Sequence, residues 1–143
     1  MAHEFTVSAT IPATPREVYD AWLSSKGHAA MTGAAARVSL KPGANFTAWD
    51  GYIAGKNIKL VPGRRIVQSW RTTEFDPSDP DSQIELLLEK APSGTKLTLR
   101  HTNIPNGHTT YKSGWRECYF EPMKAYFNRV RKHTEKKPPL RRP

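Results

Sequence analysis

Five histidines, one cysteine and four tryptophans carry most of the chemical repertoire of this sequence. They are His3, His28, His101, His108 and His133, Cys118, and Trp22, Trp49, Trp70 and Trp115. No two histidines stand at i,i+3 or i,i+4 spacing and no second cysteine completes a pair, so the spacing of a dedicated metal site is missing. There is also no G-x-S-x-G elbow, no glycine-rich phosphate loop and no Cys-His pairing with supporting context. The sequence predicts no catalytic residue, no metal and no cofactor. Asp76, Asp79 and Asp81 cluster with Pro77 and Pro80, a pattern that turn chemistry explains as well as a weak cation contact does.

Binding is the chemistry these residue types suit better. His101 continues the parity of Leu97 and Leu99, so it points inward near the end of a core strand. It is either a hydrogen-bonded core histidine or a polar anchor that orients a ligand. An indole fills volume and needs one partner for its N–H, so the tryptophans serve equally as core or as pocket wall. Trp70 and Trp115 have the best case as wall. The parity of Trp49 with Gly51 and Ile53 leaves its face open.

These side chains need elements to hold them. From Thr110 to Val130, Tyr111, Trp115, Cys118, Tyr119, Met123, Tyr126, Phe127 and Val130 recur in steps of three and four, which predicts an amphipathic helix. Cys118 on that stripe reads as a buried, inert thiol. Pro122 lies inside the pattern, where it kinks the helix along a curved sheet or holds it off the sheet to leave a cavity flanked by Tyr119 and Met123. Phe5, Val7, Ala9 and Ile11 alternate with polar residues as a half-buried strand. Thr14-Pro15-Arg16-Glu17 is a capping box with proline at the first helical position. Ser24 or Ser25 opens a second short helix through Met31, stopped by Gly33.

Six candidate strands follow: Ala36–Leu40, Asn45–Asp50, Tyr52–Leu60, Arg65–Phe75, Gln83–Lys90 and Thr95–Asn103. They are separated by Pro-Gly, Asp-Gly and Pro-Ser-Gly turns, with Gly55 as a candidate bulge. Short connections imply an antiparallel meander. Ile84, Leu86 and Leu88 on one strand and Leu97, Leu99 and His101 on the next are inward positions, while Glu85 and Glu89 face solvent. The expected fold is α+β: a curved antiparallel sheet of six to seven strands wrapped around the C-terminal helix.

Length predicts a single domain over residues 1–130. Residues 129–143 hold seven Lys or Arg against one acid, two-thirds of the net charge of +9. Residues 131–143 therefore read as a basic, proline-containing disordered tail, with weak contact to acidic partners as its functional alternative and no specific nucleic-acid binding. No apolar run is long enough for a membrane span and no signal peptide is visible, which leads us to expect a soluble cytoplasmic protein, a monomer or weak dimer.

The element order resembles the helix-grip fold of START-like and SRPBCC proteins. Gly51-Tyr-Ile-Ala-Gly55, Leu60 through Arg71, Leu97 through Pro105 and Gly114 through Phe127 resemble the family of the activator of heat shock protein 90 ATPase, in the C-terminal of that co-chaperone's two domains. The resemblance covers roughly residues 5–128. It implies the fold, a cavity between helix and sheet used in related proteins for apolar small molecules, and, as an alternative, a chaperone of the heat shock protein 90 type as partner. A cyclase- or hydrolase-like activity, known in some SRPBCC relatives, is a third and more distant implication. The expected ligand-binding residues are Trp70, Leu86, Leu88, Leu99, His101, Trp115, Tyr119, Met123 and Phe127.

Overall fold

The computed structural model describes residues 3–136, with side chains described to residue 130. The chain begins with strand β1 (His3–Ile11), whose inward residues Val7 and Ile11 are buried as its alternation requires. Helix α1 (Pro15–Trp22) starts as the sequence dictates. The Thr14 side chain accepts from the Glu17 backbone N–H and the Glu17 carboxylate accepts from the Thr14 N–H. Helix α2 (Ser25–Thr32) is capped by Ser24 and ends on Gly33 in the left-handed region.

Five further strands complete one antiparallel sheet: β2 (Asn45–Ala48), β3 (Ile53–Val61), β4 (Arg65–Thr72), β5 (Ser82–Ala91) and β6 (Gly94–Ile104). The spatial order is β1-β6-β5-β4-β3-β2, so the first strand closes against the last. This is the α+β architecture expected, with six strands. The stretch expected as strand 36–40 makes only an isolated bridge, Arg37 to Thr47. Strand β4 ends at Thr72 rather than Phe75, and Trp49–Gly51 forms a tight 3₁₀ turn between β2 and β3.

The sheet's inner face carries Ile84, Leu86 and Leu88 beside Leu97, Leu99 and His101, all buried as expected. Its outer face is tied across strands by Arg65 with Glu85 and Arg100 with Glu4. Arg71 answers the question of the aspartate loop. Its guanidinium bonds the Asp81 carboxylate at 2.7 Å and the carbonyls of Asp76 and Asp79, so a side chain supplies the positive charge there.

The C-terminal helix lies across the inner face in three consecutive parts: α3 (Tyr111–Trp115), a π-helical turn (Arg116–Phe120) and α4 (Glu121–Lys136). The π turn is the local answer to Pro122. A proline has no N–H and its ring clashes with the carbonyl four residues back. Widening the preceding turn, with the Glu121 N–H bonded to the Arg116 carbonyl, places Pro122 in the first turn of α4. The wider turn also changes which residues face in. Trp115, Tyr119, Phe120, Met123 and Phe127 are buried, whereas Cys118, expected on the buried stripe, is exposed. Tyr126 is half-buried and Val130 exposed. Helix α4 continues past residue 130 to Lys136, and the remainder of the expected tail, 137–143, lies outside the described residues.

Gly55 is not a bulge. It pairs in register with Phe46, and the β3 irregularity falls between Asn57 and Lys59. Glycine is required at 55 by close approach, since a Cβ there would lie 1.9 Å from the Ser69 carbonyl oxygen and 2.7 Å from the Phe46 ring. Gly55→Ala is therefore expected to cost about 1–3 kcal/mol and lower the melting temperature by several degrees. Thermal unfolding followed by circular dichroism checks this, and an unchanged transition would contradict it.

Candidate functional site

The inner face of the helix is aromatic along its first two turns, and the sheet meets it with more aromatics. Tyr119 lies 4.9 Å from both Trp22 and Trp115, ring centre to ring centre, and Trp70 lies 5.5 Å from Trp115 and 5.0 Å from Tyr111. Such pairs add to the burial of their large apolar area. They also bring polar atoms into the core, and each of these must find a partner.

His101 meets that demand for the helix. The Trp115 indole N–H, a donor only, bonds its Nδ1 at 3.0 Å, so Nδ1 accepts and the ring proton sits on Nε2. Nε2 then donates to Ser82 Oγ at 2.8 Å, whose hydroxyl donates to the Trp70 carbonyl. His28 takes the opposite tautomer. Its Nδ1 faces the Trp22 carbonyl at 2.9 Å and must donate, leaving Nε2 to accept from the Tyr119 hydroxyl at 2.7 Å. Burial pushes His101 down to about 3, with a small contribution from His3, and lowers His28 against the pull of the Trp22 carbonyl. Both rings are neutral core members, and the first of the two readings of His101 describes its position.

Beside this packed region a groove of about 440 Å³ opens between the helix and the β3–β4 side of the sheet, with the β2–β3 turn at its rim. Trp49 and Tyr52 of the β2–β3 turn, Ile53 at the start of β3, and Trp70 form one wall; Tyr111, Gly114, Trp115, Cys118 and Tyr119 form the other. Of the nine residues expected to bind a ligand, Trp70, Trp115 and Tyr119 line this groove. Leu86, Leu88, Leu99, His101, Met123 and Phe127 do not. They are buried in the core, outside the lining of this groove. Of the two residues expected to flank a cavity, Tyr119 lines this groove and Met123, fully buried, does not.

Several lining residues escaped the sequence reading. Trp49 reaches the groove because its turn runs through positive φ at Trp49, Asp50 and Gly51, a conformation that strand parity does not predict. Its indole N–H is buried beside the Tyr119 hydroxyl, close enough to act on it but outside good hydrogen-bond geometry. Tyr52 and Tyr111 bring phenols to the lining. Gly114 was the available signal. A glycine inside an aromatic helical run costs about 1 kcal/mol relative to alanine, and a Cβ there would meet nothing within 4 Å.

The histidine tautomers carry a pH prediction. The folded values of His101 and His28 lie below the unfolded value of 6.5, so their contribution to stability is complete above pH 6.5. It is lost as the pH falls, down to about 3 for His101, at roughly 1 kcal/mol per pH unit while only the unfolded state binds that proton. Urea unfolding from pH 7 to 4 is expected to show a shallower loss for His101→Asn than for the unsubstituted chain. Equal slopes would show that His101 is not held neutral.

The comparisons with known proteins agree with this geometry. The sequence pattern of the family described as "Activator of Hsp90 ATPase homolog 1-like protein" matches residues 12–128. The human activator of 90 kDa heat shock protein ATPase homolog 1 is 28% identical over 125 residues, covering 87% of this chain and 37% of its own. An uncharacterized protein of Schizosaccharomyces pombe is 27% identical over 119 residues, 82% of this chain and 35% of its own. The chain thus spans little more than a third of the length of these two curated relatives. Among solved structures, an HSP90 activator from Plasmodium falciparum superposes with a TM-score of 0.76 at 22% identity, over 87% of this chain and 96% of that one. A Micromonospora echinospora protein does so at 0.72 and 23%, over 94% and 83%. These two likenesses show the fold, and the family match over residues 12–128 shows the lineage: the chain belongs to the Activator of Hsp90 ATPase homolog 1-like protein family.

Proposed function

We propose that this domain binds an apolar or aromatic small molecule in the groove between the C-terminal helix and the β3–β4 side of the sheet. The observation that carries the reading is an open groove of about 440 Å³ walled by six aromatic residues in a core whose buried polar groups are otherwise almost fully paired. Ligand sites are concave and mainly apolar, with a few polar groups that fix orientation, and this groove has that composition. The binding residues narrow to Trp49, Tyr52, Trp70, Tyr111, Trp115 and Tyr119. The buried histidines do not border the groove, and each is committed to its own hydrogen-bond pair, so neither is placed to serve as an acid or base there.

Gly114→Leu tests the groove directly. Because open space surrounds the missing Cβ, leucine should project into the groove without displacing the core and should raise helix propensity. We expect an unchanged or higher melting temperature together with at least a tenfold loss of affinity for an uncharged probe such as N-phenyl-1-naphthylamine, read by tryptophan quenching. Probe uptake that persists in a folded Gly114→Leu chain would move the binding site elsewhere.

Membership of the family supports a second reading, in which the domain contacts a 90 kDa heat shock protein and acts on its ATPase. That contact would use the outer surface, so chaperone ATP turnover should rise on adding the chain and respond equally to Gly114→Leu. No change in turnover over a wide range of chain concentrations would leave small-molecule binding as the domain's own activity.

A further inference from the structure

The groove is not apolar throughout. Trp70, Trp115 and Ile53 make much of its wall apolar, but the phenols of Tyr52 and Tyr111 stand together beside Thr72. The Tyr111 hydroxyl lies 2.8 Å from Thr72 Oγ1 and 3.0 Å from His108 Nδ1. Tyr52, half-buried, has its phenol under the influence of Thr72, Glu74 and Tyr111. Burial raises both phenols, Tyr111 to about 12, so both remain protonated in neutral solution.

A phenol offers three hydrogen-bonding positions, one as donor and two as acceptor. Thr72 and His108 occupy two of those on Tyr111, and the third is left for the neighbouring Tyr52 phenol or for a ligand that replaces it. Whether the remaining position donates or accepts depends on the direction of the Thr72 bond and the His108 tautomer. A hydroxyl on a ligand satisfies either case, because it does both. An ionised carboxylate only accepts, and it meets a second obstacle. Among the described residues no Lys or Arg lines the groove, Glu117 does, and the Glu74 charge acts on both phenols. A buried anion without a cationic or hydrogen-bonding partner is disfavoured by desolvation, and nearby carboxylates add repulsion.

We infer that the ligand of this groove is an uncharged, flat, largely apolar molecule carrying a hydroxyl, seated with that hydroxyl against Tyr111 and Tyr52, and that the groove rejects the matching carboxylate. This rests on the groove reading above and adds a polarity, an orientation and an exclusion to it.

Three compounds of one shape test it: naphthalene, 2-naphthol and 2-naphthoate, titrated into the full chain at pH 7 and followed by amide and indole NMR shifts. We expect 2-naphthol to bind about tenfold more tightly than naphthalene, the effect of roughly one hydrogen bond, and 2-naphthoate to bind at least tenfold more weakly than 2-naphthol. Tyr111→Phe should bring the ratio of 2-naphthol to naphthalene affinity from about tenfold down to about one. Because that substitution also removes partners from Thr72 and His108, Tyr52→Phe provides a second variant, expected to reduce the same preference. An advantage for 2-naphthol that survives both variants, or 2-naphthoate binding as tightly as 2-naphthol, overturns the inference. If naphthalene binds and the hydroxyl adds nothing, the inference fails while the groove reading stands. If none of the three shifts a groove resonance, both fail.

Discussion

The hydrogen bond from the Trp115 indole to His101 is the contact on which the rest of the structure depends. It runs from α3 to β6, continues through Ser82 on β5 and ends on the Trp70 carbonyl of β4, so one chain of donors ties the helix to three strands. Two more chains share its logic. Tyr119 donates to His28, which donates to the Trp22 carbonyl, joining the π turn to α2 and α1. The Trp22 indole donates to Gln68, whose amide donates to Asn57, which in turn holds the carbonyls of Ser39 and Lys41. Large indoles and phenols give this small core its apolar area, and their polar atoms fix how its elements sit. An unmatched buried polar group costs about 1–3 kcal/mol, so a shifted helix that broke one chain would be penalised well beyond its lost packing.

The π turn decides what that anchored helix presents. A regular helix would have kept Cys118 on the inner stripe and would have set the Pro122 ring against the carbonyl of the turn before it. The extra residue in the turn lets Tyr119 and Phe120 both face inward and brings Cys118 to the groove. Proline, π turn and groove are thus linked. The widened turn sits where the groove runs along the helix, and below it α4 packs closely through Met123 and Phe127.

Local rules in the sequence were enough for most of the fold. Alternation located β1, the inward faces of β5 and β6 and the exposed Glu89, and the capping box and Gly33 bounded the two short helices. The groove was much less legible, because it depends on departures from those rules. Strand parity cannot report a turn with three consecutive positive φ values, so Trp49 had no predictable side. Helical periodicity assumes 3.6 residues per turn and therefore misplaced Cys118 and omitted Phe120. Parity did set His101 inward, but it could not show that Trp115 and Ser82 occupy both ring nitrogens. Asn57 and Gln68 are polar residues on strands, and only their spatial neighbours explain why they are buried.

What keeps the groove open follows from the same accounting of polar groups. An apolar cleft in a small domain tends to close, since collapse removes hydrophobic surface from water. Here both walls are fixed from behind. Trp70 and Trp115 are held by the His101 chain, and Tyr119 by His28. The rest of the Trp70 wall depends on the turn at Trp49 and Asp50, where each non-glycine residue at positive φ carries a strain of order 1–3 kcal/mol. Asp50 offsets part of it by bonding Ala35 twice, its N–H to the Ala35 carbonyl at 3.0 Å and its carboxylate to the Ala35 N–H at 2.9 Å. Trp49 gains no such bond, and its indole N–H stays buried and unpaired. Strain at Trp49 and the open space beside Gly114 border this groove, although a positive φ also occurs at Asn103 and other glycines face open space elsewhere. The cost of the features at the groove is one that the proposed ligand would offset by covering its aromatic wall.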